Sequence, residues 1–322
     1  MKKTLFLTNF DQRIGFGHLS RCSSIARELK FHGHKAFLLT RESSIQENSL
    51  LSAFDSLYYY DCKSFFQKLN HLNQKFSFSN IVIDDYAINH NEILERLRKQ
   101  VDIVRFNLNP EIEDKTSTII NYSPVYQNDK SKHLLGKDFI VIDEKFHHLK
   151  KKIKNEVLVF FGGGGDSSAL KKFHEYLEFL SQKIARVNIA ITSSYKNKNE
   201  IINTYSKKNK FNVLLNSKSF ASTLNNSKFS FISGGTISYE SAFLQTPMQI
   251  VSVAENQSKQ SISWHENGNA KYLGSIQSVD SNALKESYES FFSTNDLITS
   301  WYAKRKIFID GLGVKRIVEI LV

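Results

Sequence analysis

The sequence predicts an α/β protein built from two Rossmann-like domains, and three observations carry that expectation. Short runs rich in β-branched and aromatic residues alternate with longer amphipathic stretches along the chain, as parallel strands joined by crossover helices do. The alternation stops in the charged segment 147–155 and then starts again. A glycine-rich turn follows a predicted strand in each half, Gly15-Phe16-Gly17 in the first and Gly162-Gly163-Gly164-Gly165 in the second. Such turns let the backbone approach a ligand closely.

In the first half the predicted strands are 4–8, 35–39, 57–60, 80–83, 102–106 and 118–121, with helices over 18–32, 62–75 and 89–99. Gly33 sits where a C′ glycine would end the first helix. In the second half the strands are 156–160, 187–192, 212–215, 229–233 and 249–253. The helices there are 168–183, 237–244, 259–267 and 283–292, and about the last 25 residues read as helix broken by Gly311 and Gly313. The expected domains are 1–148 and 155–322, with a solvated linker at 149–154, facing each other across a central cleft that should hold the ligand. The pair His147-His148 has no acidic or further histidine partner at metal-binding spacing and is read as part of the solvated connection.

Composition narrows the function. With 322 residues, 41% hydrophobic and 23% charged, the chain reads as a soluble globular protein with room for two cores. No window approaches the roughly 18 apolar residues of a membrane span. The run Met1-Lys2-Lys3-Thr4-Leu5-Phe6-Leu7 stops too soon for a signal peptide. A cytoplasmic protein without an integral membrane segment is expected. Two cysteines, Cys22 and Cys62, form no CxxC or zinc-like cluster, so no disulfide, metal or other cofactor is expected. The net charge of +11 is spread through Lys-Asn loops such as Lys196-Asn197-Lys198-Asn199. No basic stripe interleaves with aromatics, so the expected partner is a small molecule and not a nucleic acid. Oligomeric state is left open.

Four constellations carry chemistry. Arg13-Ile14-Gly15-Phe16-Gly17-His18-Leu19-Ser20-Arg21-Cys22 places a proton-transfer group at a helix start, beside unpaired N–H donors. Taken alone, the same loop is also ordinary turn chemistry. Ile83-Asp84-Asp85-Tyr86 ends a strand; Asp84 or Asp85 could orient a histidine and Tyr86 could donate to a leaving oxygen or a substrate amide. The four contiguous glycines 162–165 with Asp166 fit neither Gly-x-Gly-x-x-Gly nor a P-loop. Finally, Ser233-Gly234-Gly235-Thr236-Ile237-Ser238-Tyr239-Glu240 opens a helix. There N–H groups can meet a phosphate pair and Glu240 can accept from a ribose. An N-cap by Thr236 explains part of that pattern. Ala254-Glu255-Asn256-Gln257 follows the next strand and could orient a sugar or a water, or form a surface turn.

Taken in order, these pieces resemble the PseG/SpsG family, nucleotide-sugar hydrolases of pseudaminic acid biosynthesis and related spore-coat polysaccharide proteins. The matching residues are Gly15-Phe16-Gly17-His18-x-x-Arg21-Cys22, Asp84-x-Tyr86 and Leu134-Leu135-Gly136-x-x-Phe139 in the first half. The glycine run with Asp166, Gly234-Gly235-Thr236-x-x-x-Glu240 and Ala254-x-Asn256-Gln257 follow in the second. The resemblance implies a GT-B fold, a catalytic role for His18, Tyr86 and Asn256, and diphosphate and ribose contacts along 234–240. It departs at Arg105-Phe106-Asn107-Leu108-Asn109, where an acidic pair is expected, and at Asn121-Tyr122-Ser123-Pro124-Val125-Tyr126, a loose match.

The expected activity is therefore inverting C1–O cleavage of a UDP-sugar, with His18 as general base, releasing UDP and a free acetamido-deoxy sugar. Tyr86 and Asn256 complete the catalytic set. Gly15, Gly17, Arg21, Asp85, Gly163, Gly164, Gly234, Gly235, Thr236, Glu240 and Gln257 are the expected substrate contacts. The alternative is a GT-B glycosyltransferase in which His18 activates an acceptor hydroxyl, and a non-enzymatic glycan- or nucleotide-sugar-binding protein is a third reading.

Overall fold

The computed structural model describes residues 1–10, 16–41, 49–61, 63–85, 87–107, 116–123, 133–163 and 167–322. Its contacts divide the chain into two compact units, Met1–Glu144 with Asp310–Val322, and Lys145–Ile309.

The first unit follows the order β1 (Lys3–Thr8), α1 (Gly17–Phe31), β2 (Lys35–Arg41), β3 (Ser56–Tyr60), α2 (Phe65–Phe76), β4 (Asn80–Asp84), α3 (His90–Leu97), β5 (Asp102–Phe106), β6 (Thr118–Asn121) and β7 (Leu134–Leu135). The sheet is parallel with strand order β3-β2-β1-β4-β5-β6-β7. Strand order reverses between β1 and β4, and loops leaving the carboxyl ends there form the ligand crevice of a doubly wound sheet. Side chains alternate between the two faces. Phe6, Val82, Val104 and Ile120 pack under α1, whereas Leu5, Leu7, Ile81, Ile83 and Ile103 pack with α2 and α3 residues such as Leu69 and Ile93. Burial on both faces explains the near-continuous apolar strands.

The second unit repeats the design. It contains β8 (Lys154–Phe160), α4 (Ser168–Lys172), α5 (His174–Lys183), β9 (Arg186–Ile191), α6 (Lys198–Tyr205), β10 (Phe211–Leu215), α7 (Phe220–Asn226), β11 (Ser227–Ile232), α8 (Ile237–Phe243), β12 (Met248–Ser252), α9 (Ser258–Glu266), β13 (Ala270–Ser275), α10 (Ser281–Phe291) and α11 (Asn295–Tyr302). The order β10-β9-β8-β11-β12-β13 is again parallel and reverses between β8 and β11. Val157, Val159, Phe229 and Phe231 meet Phe173, Tyr176, Leu177 and Leu180 in its core.

Three features differ from the sequence reading. The expected helix over 168–183 is two helices, α4 and α5, with Phe173 fully buried between them. The connection at 149–154 is exposed from Lys150 onward but is tied down by hydrogen bonds. Lys151 Nζ donates to the carbonyls of Leu244 and Gln245 at 2.7 and 2.8 Å, Asn225 Nδ2 donates to Lys150 O, and Lys152 N donates to Asn226 Oδ1. β8 already begins at Lys154, and the His147 ring packs 4.9 Å from that of Phe243.

The third difference is the C-terminus. Helix α12 (Gly313–Leu321), given to the second domain by sequence alone, belongs to the first unit. Its Ile317, Val318 and Leu321 join Cys22, Ile25, Ala26 and Leu29 of α1 in one buried cluster. Asn80 Nδ2, at the start of β4, donates to Leu321 O at 2.8 Å. A Cβ on Gly313 would lie 2.1 Å from Ile140 O and 2.8 Å from Phe139 C. The helix is therefore seated backbone to backbone on the segment that carries Leu134-Leu135-Gly136-x-x-Phe139. Gly313→Ala is expected to destabilise the protein by about 1–3 kcal/mol through overpacking against main chain. Urea unfolding checks this, and an unchanged midpoint would show that α12 does not need its close seat.

Candidate functional site

The strand alternation that builds the first core also builds the site above it. Asp84 continues the row of Val82 on the α1 side of the sheet, while Asp85 turns to the opposite face. Thr8 Oγ1, at the end of β1, donates to Asp84 O at 2.9 Å and locks the two strand ends together. Beneath α1, His18 Nδ1 lies 2.7 Å from Asp84 Oδ1. Arg21, one turn further on, donates from Nε to Asp84 Oδ2 at 2.7 Å and from Nη2 to Oδ1 at 2.6 Å. Its Nη1 donates to the Tyr122 hydroxyl, and its guanidinium carbon lies 4.8 Å and 5.1 Å from the ring centres of Phe106 and Tyr122. Cation–π contact and a bidentate pair thus hold one guanidinium.

Asp84 is 0% exposed and His18 retains 17% side-chain exposure. Burial opposes ionisation of Asp84, yet the Arg21 cation and His18 outweigh it and hold the carboxyl well below the usual carboxylate range. An ionised carboxylate only accepts, so the nitrogen 2.7 Å from it carries a proton. The close Arg21 Nη2–His18 Nδ1 approach of 3.1 Å is then a contact between two donors that share Oδ1. The hydrogen-bond pattern places a proton on Nδ1, an engagement that a general-base imidazole also shows.

Asp85 lies apart from this pair. Its Oδ1 accepts from Ala87 N at 2.8 Å, and Asn9 Nδ2 donates to its other oxygen and, at 3.0 Å, to Tyr60 OH. Burial raises the Asp85 carboxyl and the Tyr60 phenol. Of the two acids that could orient a histidine, Asp84 takes that place. Arg21, expected as a substrate contact, instead turns inward and gives its nitrogens to Asp84 and Tyr122. Gly17 opens α1, and Phe16 supplies no side-chain cap there. Gly15, Tyr86 and Gly164 lie outside the described residues, as does Asp166.

In the second unit the remaining residues gather at the carboxyl ends of β8, β11 and β12. Gly162 has φ +108°, a conformation that favours glycine. Its carbonyl accepts from Tyr195 OH at 2.9 Å, and that of Gly163 from Thr192 Oγ1 at 3.0 Å. Gly234 has a packing reason as well: a Cβ there would meet Ser261 Oγ at 2.0 Å and Gln257 O at 3.1 Å. Gly235 has none, since its Cβ would find nothing closer than Gln257 Nε2 at 3.5 Å. Thr236 precedes α8 with helical dihedrals and makes no side-chain cap hydrogen bond, so capping does not account for its hydroxyl. Glu240 is half-buried in the first turn of α8. Asn256 is exposed on the short 3₁₀ turn after β12, and Gln257 Oε1 accepts from Val253 N at 3.0 Å.

Sequence reasoning missed the residues that hold this loop. Ser238 Oγ donates to Gly235 O at 2.8 Å and accepts from Gln260 Nε2 at 2.6 Å and Trp264 Nε1 at 3.0 Å. That uses its one donor and both lone pairs. Tyr239 OH donates to Gln260 Oε1 at 2.6 Å, closing a clamp between α8 and α9. Serine and glutamine inside helices carry no sequence signature of such a role. Phe106 and Tyr122 were missed similarly, because their partner Arg21 lies far away in sequence.

No family model matches the sequence, and no curated protein matches it. Its structure is similar over its whole length to that of MurG from Acinetobacter baumannii, with TM-score 0.71, 12% identity and coverage of 100% of this chain and 99% of MurG. The fold is GT-B-like. Glycosyltransferase VinC in complex with dTDP gives TM-score 0.67 and 9% identity, covering 99% of this chain and 98% of VinC. S. aureus MnaA with UDP gives 0.65 and 12%, covering 99% and 95%. Among the described residues, no helix is long and apolar enough to cross a membrane, and no group of three or more His, Cys, Asp or Glu could hold a metal ion.

The Asp84 charge has a measurable consequence. Its folded value is depressed, so its stabilisation is complete above the unfolded carboxylate value near ~3.9 and is lost as pH falls through the depressed folded value. Asp84→Asn leaves Arg21 buried without its counter-charge and is expected to cost about 3–5 kcal/mol at neutral pH. In urea titrations the gap to wild type should hold steady from about pH 8 to 5 and shrink below about pH 4. A gap that grows on acidification contradicts the assignment.

Proposed function

We propose that this chain is an enzyme acting on a nucleoside-diphosphate sugar, moving the sugar from the diphosphate to an oxygen nucleophile deprotonated by His18. The observation that carries the proposal is the His18–Asp84 pair at the switch point of the first sheet, with Nδ1 engaged and Nε2 as the basic nitrogen. Nε2 takes the O–H proton as the oxygen attacks the anomeric carbon. The new C1–O bond forms as the bond to the diphosphate breaks, and the diphosphate leaves with that electron pair. Full-length similarity to VinC with dTDP and to MnaA with UDP supports a nucleotide-containing substrate.

In the second unit the N–H groups around Gly234, Gly235 and Thr236 suit a diphosphate, Glu240 suits a ribose, and Gly163 allows close backbone approach. In this reading Asn256 and the Gln257 amide NH₂ orient the sugar. The comparisons favour an acceptor molecule as the nucleophile, since VinC is a glycosyltransferase. The second reading, hydrolysis, is favoured by the ordered PseG/SpsG-like motifs around His18, Gly234-Gly235-Thr236 and Asn256, and it would use water in the acceptor's place. A pseudaminic-acid-type pathway belongs to that second reading.

NMR of the anomeric signals during incubation with UDP- and dTDP-sugars separates the readings. Turnover only with an added acceptor supports transfer, and release of free sugar in buffer alone supports hydrolysis. His18→Ala should lower either rate by about 10²–10⁴-fold. Binding without turnover under every condition would overturn the enzymatic proposal.

The two glycines of the second unit give a further check. Gly235→Ala should leave stability within about 0.5 kcal/mol, because its Cβ has room. It should also weaken UDP binding by at least about tenfold, a loss of roughly 1.4 kcal/mol. Gly234→Ala should cost about 1–3 kcal/mol of stability. Calorimetric titration with UDP that finds Gly235→Ala equal to wild type would remove the diphosphate from this loop.

A further inference from the structure

We infer that Arg21 is a positioning residue that acts through Asp84, fixing the carboxylate so that His18 donates from Nδ1 and presents Nε2, and that it does not contact substrate. This rests on the reading of His18 as the base. Arg21 follows His18 by three residues and so lies on the same face of α1. It is 7% exposed, and its three nitrogens are directed to the two Asp84 oxygens and the Tyr122 hydroxyl. The rings of Phe106 and Tyr122 flank the guanidinium. Little of the group is left to reach a ligand.

The charge balance explains why the arginine is needed. Asp84 is fully buried, and burial favours its neutral form. A neutral Asp84 could donate its own proton to His18 Nδ1, which would move the imidazole proton to Nε2 and remove the base. Arg21 is permanently charged and holds Asp84 as a pure acceptor. Its fork also fixes which carboxylate oxygen faces His18. Among the described residues, the other titratable and charged groups around the pair are Asp85, next to Asp84 at the end of β4; Cys22 on α1, whose Sγ is 3.9 Å from Asp84 Oδ2; Tyr122 after β6; and Arg41 at the end of β2, which acts on Asp85. Burial raises the Cys22 thiol and the Tyr122 phenol, so both are neutral near pH 7 and leave the Arg21 cation as Asp84's charge partner alongside His18.

The test uses the full chain labelled with ¹⁵N-histidine, together with steady-state kinetics on the nucleotide sugar that turns over. Wild type should show a protonated Nδ1 and an unprotonated Nε2 at His18. Arg21→Met should shift population to the Nε2–H tautomer and lower kcat by about 10²-fold with KM within about twofold. Arg21→Lys keeps the charge without the fork and should fall between the two. A folded Arg21→Met protein with the wild-type tautomer, or a raised KM at constant kcat, would overturn the proposal. Should Arg21→Met not fold, Arg21→Lys carries the test: with the two-point fork lost, a wild-type tautomer together with a wild-type kcat would also overturn the inference. Lack of turnover in wild type would count against the functional reading, while the tautomer measurement still decides the role of Arg21.

Discussion

A single buried carboxylate organises the first unit. Asp84 is fully buried, and an isolated charge there would cost several kcal/mol or neutralise itself. The fold meets this from three directions: Arg21 and His18 come down from α1, Thr8 ties the main chain of β4 to β1, and Phe106 and Tyr122 wall in the arginine from β5 and the end of β6. Four strands and one helix therefore have to be in register before the charge is satisfied. The Asp84 pair constrains the whole upper layer of the sheet and selects one tautomer of one histidine.

The second unit reaches a similar position without a charge. Its two glycine loops are held through carbonyls, Gly162 and Gly163 by Tyr195 and Thr192, and Gly235 by Ser238. Side chains that bind the carbonyls leave the N–H side of each loop uncovered by those partners. The tight fit of Gly234 against Ser261 and Gln257 sets the distance between α8 and α9, and the Gln260–Tyr239–Ser238–Trp264 network fixes their orientation. Such a buried polar network is rigid when every member is satisfied, and Ser238 is.

Much of the architecture was legible in the sequence because parallel strands buried on both faces are short apolar runs that only one pattern explains. The runs at 80–83 and 102–106 are found where expected, and β4 runs one residue further, to Asp84. What was not legible has particular causes. β7 is two residues long, and β13 is a partly exposed edge strand containing Lys271 and Gly274, so neither has apolar periodicity. Helices α6 and α7 are short and rich in polar residues. α12 has an evident apolar face, but amphipathicity says that a helix packs and not on which unit. At the site, His18 and Asp84 could be found because each ends or begins an element. Arg21's inward turn could not, since its partners Phe106 and Tyr122 lie about a hundred positions away in a loosely matching stretch.

The two units share one device, a loop leaving the carboxyl end of a strand beside the point where strand order reverses, yet chemistry differs at the two ends. In the first, a carboxylate, a guanidinium and an imidazole close on one another inside the protein, with the imidazole engaged through Nδ1. In the second, no side-chain cap closes the start of α8, and the glycine at 235 has space that its own neighbours do not fill. Internal charge neutralisation suits proton transfer, because an anion held there by a cation would compete with Asp84 for Arg21. Neutral N–H donors without a counter-charge suit an anionic leaving group, because they stabilise charge without committing a proton. A Rossmann-like sheet supplies the same geometry twice, and the residues placed on it make the two ends chemically different.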